Sequence, residues 1–186
     1  YRKAIPAKSV VITMDDAYRS IYHVAYPLLK KYQYPATLFV YTDFIQATSM
    51  AMTWDQLREM KANGYEIGSH SITHADLTLK KEGEDDQAFI ARINRELVDS
   101  KKTIDHKLNQ DTVFFAYPYG SYDQLTVQLS QKAGYTLGLG IQNGGNPFFA
   151  DPQSLRRNQI LSDEFDYFKE RIKTRQPISL KVSQEN

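Results

Sequence analysis

The sequence contains no cysteine, which excludes disulfides and thiolate ligands and confines any metal site to His, Asp and Glu. It has no excess of either charge. The 23 Lys and Arg against 22 Asp and Glu leave a net +1, and no basic block offers a footprint for a phosphate backbone, so nucleic acid is not an expected partner. Long apolar runs are missing too. Nothing approaches the roughly 18 residues of a membrane span, and Tyr1 to Lys8 has none of the apolar core of a secretory signal. There is no internal repeat and no low-complexity linker. What is present, 186 residues of which 41% are hydrophobic, suffices for one sizeable core and is short for two. A single domain over residues 1–186 is therefore expected.

Strand and helix patterns alternate. Lys8 to Met14 reads as a β-branched strand buried on both faces, as in a parallel sheet. Tyr18, Ile21, Tyr22, Ala25, Leu28 and Leu29 then recur at helical spacing, with an irregularity expected where Pro27 interrupts the run. Ala36 to Tyr41 is a second strand. Thr53 and Gln56 form a capping box opening a helix that stops at Asn63-Gly64, and Tyr65 to Gly68 is a third strand. The acidic run Glu82 to Asp86 leads into the longest helix, with Ile90, Ile93, Leu97 and Ile104 as its apolar stripe. Thr112 to Ala116 is the next strand. Ser121 and Gln124 repeat the capping box, that helix ends at Gly134, and Tyr135 to Leu139 begins another strand. This alternation predicts an α/β fold with a largely parallel sheet, whose functional residues collect beyond the C-terminal ends of the strands.

Three groups fall at such places: Asp15-Asp16 after the first strand, His70 and His74 after the third, and Tyr117-Pro118-Tyr119-Gly120 after the fourth. Successive side chains diverge at a strand end, so one carboxylate can bind a cation while its neighbour takes a proton. Adjacent Asp residues also cap helices. Two imidazoles four residues apart plus one carboxylate make a donor set used by hydrolytic zinc sites, although two surface histidines in a polar loop satisfy the same spacing. Tyr-Pro-Tyr-Gly alone reads equally well as a turn with packed aromatics.

Taken together and in order, these groups resemble the polysaccharide deacetylase family, or NodB homology domain, over nearly the whole chain. The family's Thr-Phe-Asp-Asp-Gly is similar to Thr13-Met14-Asp15-Asp16-Ala17, and its His-Ser/Thr-x-x-His to His70-Ser71-Ile72-Thr73-His74. Ala17 puts a methyl where the family turns its backbone on glycine. The third motif, Arg-x-Pro-Tyr-Gly, has Ala116 in place of its Arg. Phe115 to Gly120 instead resembles the branch acting on poly-β-1,6-N-acetylglucosamine, as do Tyr26 to Lys30 and Met52-Thr53-Trp54.

The resemblance implies a distorted (β/α) barrel and a metal-dependent N-deacetylase of an N-acetylglucosamine polymer. It implies Asp16, His70 and His74 as ligands of a divalent metal, Zn2+ first, with Ni2+, Co2+ or Mn2+ as alternatives. Asp15 would be the base, the Tyr119 N–H would stabilise the oxyanion, and Arg157 would support the base, with Arg156 the alternative. Trp54, Tyr117, Tyr119, Tyr122, Phe148 and Phe149 are candidates to line a sugar groove, with core packing the competing use. Peptidoglycan or chitin-type substrates, and a catalytically weak carbohydrate-binding relative, are the alternative functions. The family's C-terminal acid His has no counterpart after His106, and His23 and His106 read as helix residues. An N-terminal extension supplying that acid is expected, as is a secreted, periplasmic or cell-surface location in a bacterium. Oligomeric state is left open.

Overall fold

Five short strands, β1 (Ile12–Asp15), β2 (Ala36–Val40), β3 (Glu66–Ser69), β4 (Phe114–Ala116) and β5 (Leu137–Leu139), pair in parallel in the order β1-β2-β3-β4-β5. The computed structural model describes residues 9–147 and 149–173. Each strand lies beside its predecessor, so the chain winds in one direction without the order reversal of a doubly wound sheet. That winding is the distorted (β/α) barrel expected from the sequence. The helices α1 (Tyr26–Lys31), α2 (Trp54–Ala62), α3 (Asp86–Leu108) and α4 (Gln124–Lys132) fill the crossovers. Contacts of α2 with α3 and of α3 with α4 line them up side by side. A last helix, α5 (Phe165–Ile172), follows. Among the described residues no helix is long and apolar enough to cross a membrane.

Strand alternation separates two faces. Ala36, Leu38 and Val40 of β2 and Ile67 of β3 join Leu57 and Met60 of α2 and Ile104 and Leu108 of α3 in one apolar cluster between sheet and helices. Phe115, Ile93, Leu97, Leu129 and Tyr135 form a second under α3 and α4. The opposite face carries Asp15, paired in register with Phe39, and Phe39 in register with Gly68. Glycine is required at 68, because a Cβ there would come within 2.6 Å of the Phe39 ring.

Several local expectations are corrected. β1 begins at Ile12, and all four of its residues are only partly buried, because as the outermost strand it pairs with β2 alone. Val10 and Val11 are 68% and 79% exposed. The irregularity expected near Pro27 is present, as a π-helical turn at Ile21–Ala25 that runs directly into α1. The second capping box belongs to Asp123 and Thr126, not Ser121 and Gln124. Asp123 has the extended backbone of an N-cap (φ −132°), and its carboxylate accepts from the Thr126 N–H. On α3, Ile90 is 38% exposed and Phe89 takes the core position. The Thr53–Gln56 box and the stop at Asn63 and Gly64, with φ +86° at the glycine, stand as read.

Candidate active site and metal centre

The chain leaves β1 through a tight turn in which Asp16 (φ +73°) and Ala17 (φ +67°) both adopt left-handed backbone, and the Ala17 N–H donates to the Asp15 carbonyl at 3.0 Å. This turn gives the two carboxylates different partners. Asp15 stays on the inner face, where both oxygens accept from one guanidinium: Arg157 Nη1 at 2.7 Å and Nη2 at 2.9 Å. The same Arg157 donates from Nε to the Gly140 carbonyl (2.9 Å) and from Nη1 to Thr13 Oγ1 (3.3 Å), and lies 5.5 Å over the Phe39 ring. A planar donor fork fixed on so many sides sets the carboxylate's orientation.

Arg157 reaches Asp15 from 142 residues away because the segment before it runs beside β5. Leu155 bridges Leu139 in parallel, with Leu155 N–H to Gly138 O at 2.9 Å and Gly140 N–H to Leu155 O at 2.9 Å. Strand-like alternation then turns Arg157 inward and Arg156 out to solvent. The Asn143–Pro147 loop, whose purpose the sequence does not reveal, pins this segment. Asn146 bonds the Arg156 carbonyl and N–H at 2.9 and 2.8 Å, and Asn158 accepts from the Gly144 N–H.

Asp16 lies outside the Arg157 fork, although Asp15 Oδ2 is itself 4.0 Å from His70 Nε2. Asp16 Oδ1 lies 3.7 Å from His70 Nε2 and 3.5 Å from His74 Nε2, and the two ring nitrogens are 3.1 Å apart. One donor atom from each residue sits within 4.8 Å of the others. The buried Asp16 Oδ1 has no hydrogen-bond partner, a costly condition that a cation would relieve. His70 Nδ1 donates to the Ala116 carbonyl at 2.7 Å, which fixes the tautomer and leaves Nε2 bare toward the cluster. Burial lowers the His70 pKa, outweighing the opposing pull of Asp15, so the ring is held neutral as a ligand must be. The donor set fits a divalent cation.

The loop carrying His74 is strained at Ser71 (φ +74°) and His74 (φ +59°), each costing roughly 1–2 kcal/mol, and it is tied from two sides. Its carbonyls at Ser71 and Ile72 accept from the Thr42 and Asp43 amides. Its amides at Ile72 and Thr73 donate to one oxygen of Glu96 at 2.8 and 3.0 Å, and Thr73 Oγ1 donates to the other at 2.8 Å. Sequence reading missed Glu96. The signal was a charged residue on the inward stripe of α3, which runs Phe89, Ile93, Glu96, Leu97, Ser100 and Ile104.

At Tyr117–Gly120, proline precedes a residue with positive φ, Tyr119 at +59°, the pattern of a type II turn with tyrosine where glycine is usual. The turn's bonds use the Gly120 and Ser121 amides and leave that of Tyr119 outside them. The Tyr119 ring, 61% exposed, stands edge-on to His74 at 4.6 Å, and the Tyr41 ring lies 5.3 Å from His74. Burial, and then Asp16, raises the Tyr41 pKa. An open groove of about 600 Å³ is lined by Tyr119, Tyr122, Ile141 and Gln142 among others.

Two groove candidates belong to the core instead. Trp54 packs at the start of α2 within the first apolar cluster. Tyr117 is fully buried, donates to the Gln153 carbonyl at 3.0 Å and has its phenol pushed by burial up to about 12. Tyr122 is half-buried and lines the groove, Phe149 is exposed, and Phe148 lies outside the described residues. His23 accepts from Arg19 Nε at 3.0 Å. His106 sits in the last turn of α3, at the opposite end of the strands from the site. Among the described residues neither hydrogen-bonds Asp15 or the three-residue cluster.

A family model described as polysaccharide deacetylase matches residues 2–138. The chain belongs to the polysaccharide deacetylase family. YxkH of Bacillus subtilis (strain 168), which carries the family's name, is 35% identical over 137 residues, 74% of this chain and 46% of that protein. The poly-β-1,6-N-acetyl-D-glucosamine N-deacetylase of Staphylococcus aureus (strain MRSA252) is 28% identical over 167 residues, 87% of this chain and 58% of that protein. The chain thus spans about half the length of these curated relatives. Among solved structures, the deacetylase PplD of Streptococcus pyogenes in complex with acetate superposes with a TM-score of 0.80 at 32% identity, covering 91% of this chain and 73% of that one. The BpsB deacetylase domain of Bordetella bronchiseptica follows at 0.75 and 27%, covering 82% and 71%.

Proposed function

We propose that this chain catalyses metal-dependent hydrolytic N-deacetylation of an N-acetylglucosamine polymer, with the β-1,6-linked form as its substrate. The observation that carries the reading is the pair of unlike neighbours: Asp15 clamped by Arg157, and Asp16 left open toward His70 and His74. The Staphylococcus aureus relative's name supports the β-1,6 choice. Such a polymer lies outside the cytoplasm, which favours a secreted, periplasmic or surface location.

Bound at Asp16, His70 and His74, a divalent cation such as Zn2+ supplies Lewis-acid chemistry, acidifying water and polarising an amide carbonyl. Asp15 accepts the proton of the attacking water, and Arg157 keeps its oxygens aimed. The Tyr119 N–H donates to the carbonyl oxygen as negative charge grows there. Tyr119 and Tyr122 offer aromatic faces along the groove for the flanking sugar rings. The proton taken up by Asp15 passes on to the leaving nitrogen as the C–N bond breaks, so that acetate and a free amine are the products.

A second reading, a carbohydrate-binding relative with weak turnover, is favoured by one observation: neither His23 nor His106 reaches the site as a proton donor for the leaving amine. Amine and acetate release from short β-1,6 and β-1,4 N-acetylglucosamine oligomers, with added zinc and with chelator, separates the readings. Chelator-sensitive release that prefers β-1,6 oligomers is expected. Preference for β-1,4 oligomers moves the substrate to peptidoglycan or chitin-type chains, and binding without release by zinc-loaded protein supports the non-enzymatic reading.

A further inference from the structure

Glu96 is almost wholly buried on α3, and a buried carboxylate is costly unless its oxygens are hydrogen-bonded. Arg92, one turn earlier, directs its guanidinium to Glu84 and makes no hydrogen bond to Glu96. All three bonds to the Glu96 oxygens come instead from the loop between the two histidines: the Ile72 and Thr73 amides and the Thr73 hydroxyl. Those amides belong to a segment with left-handed residues at both Ser71 and His74, a shape that persists only where its surroundings over-determine it. The helix below is itself tied to the root of the loop. Ser69 donates to Ser100 Oγ at 2.9 Å, and Ser100 donates to the Glu96 carbonyl at 2.6 Å.

We propose that Glu96 is the positioning residue that sets the His74 arm of the ligand cluster, holding the loop in the strained form that brings His74 Nε2 beside His70 Nε2 and Asp16. This inference rests on the metal reading above and deepens it. Glu96 touches neither substrate nor cation; it acts through Ile72 and Thr73 on the residue that follows them. His70 does not depend on it in the same way, because His70 is fixed by the Ala116 carbonyl and by its own N–H bond to Val40 O. Removing Glu96 therefore loosens one of three ligands, leaving its loop only the ties from the Thr42 and Asp43 amides and the His74 N–H bond to Ser71 Oγ, and leaves the other two in place.

The test is zinc affinity of the folded protein, measured by competition with a chromophoric chelator, with folding and Tm of the metal-free protein followed by circular dichroism. Glu96→Met keeps the side chain's length and deletes its acceptors; it should weaken zinc binding by about 10- to 100-fold, the usual cost of losing a partner that orients a ligand. Glu96→Gln retains one oxygen for the two amides and a group facing the Thr73 hydroxyl, and should restore most of the affinity. Ile104→Ala, a buried change on the same helix away from the loop, should lower Tm and leave zinc affinity as in the parent. If Glu96→Met does not fold, Glu96→Asp, which keeps the charge but falls short of the loop, takes its place under the same criteria. Parental affinity in the variant, or an equal loss in Ile104→Ala, overturns the role of Glu96 while leaving the metal centre standing. A parent protein that takes up no zinc overturns both.

Discussion

The proposed base side and the proposed ligand side of this site are completed in opposite ways. Asp15 has both oxygens in a guanidinium fork, and that guanidinium is itself held by Thr13, Gly140 and the Phe39 ring. One residue further on, Asp16 Oδ1 is buried without a partner and faces two ring nitrogens. Under the proposed function, the protein closes its own electrostatics where an oriented proton acceptor is wanted and leaves them open where a cation would supply the charge. Two left-handed residues after β1 make this division possible between adjacent side chains.

The sharpest way to break the comparison is Asp15→Asn, which keeps the shape of the base side and deletes the proton acceptor. Turnover on the oligomer substrate should fall by about 10²- to 10⁴-fold, with zinc affinity close to that of the parent by calorimetry. Activity at the parental level removes Asp15 from the base role. On the ligand side, His74→Ala should weaken zinc binding by more than about 100-fold, beyond the upper figure for an orienting partner, because two remaining protein ligands are too few to define an open tetrahedral site. Unchanged affinity there means that the Asp16–His70–His74 grouping is not the metal centre.

Legibility in the sequence followed the distance over which each feature is decided. The Thr53–Gln56 box and the Asn63-Gly64 stop are settled within four residues, and both were readable. Ser121 failed as a cap because the helix opens only after Asp123, whose carboxylate accepts from the Thr126 amide. Trp54 and Tyr117 carry the chemistry of sugar-facing rings, but strand and helix geometry turns both inward. Asp15, Asp16, His70 and His74 stood out as candidates because strand ends are places where α/β folds gather function. Glu96 acts across 23 residues and showed only as a charge at core spacing. Arg157 was reached by resemblance, and what selects it over Arg156 is the parity of a strand-like segment that no local pattern announced.

That selection gives a middle-sized test on the base side. Arg157→Lys replaces a rigid fork by a single flexible ammonium and loses at least one charge-assisted bond to Asp15, worth about 1.5–3 kcal/mol. Turnover should drop roughly 10- to 100-fold with zinc affinity unaffected. Arg156→Lys should be kinetically indistinguishable from the parent, since that side chain is exposed and meets nothing at the site. Equal losses from the two substitutions would place the effect in the fold of the segment rather than in the fork.

The smallest effect belongs to the hinge between the two sides. Ala17 sits at φ +67°, where the family resemblance has glycine, and its methyl is fully buried in the first apolar cluster. Relief of left-handed strain in Ala17→Gly favours the variant by roughly 1–2 kcal/mol. Against this, the lost methyl costs about 0.8 kcal/mol and the freer unfolded chain about 0.4–1 kcal/mol. The terms nearly cancel, so denaturant titration should find stability within about 1 kcal/mol of the parent. Zinc affinity and turnover should also stay near parental values, because Asp16 keeps its own left-handed backbone whether or not its neighbour carries a methyl. A large gain in turnover from this single change would show that Ala17 holds the turn away from its best geometry, and that the division between Asp15 and Asp16 is still strained in this chain.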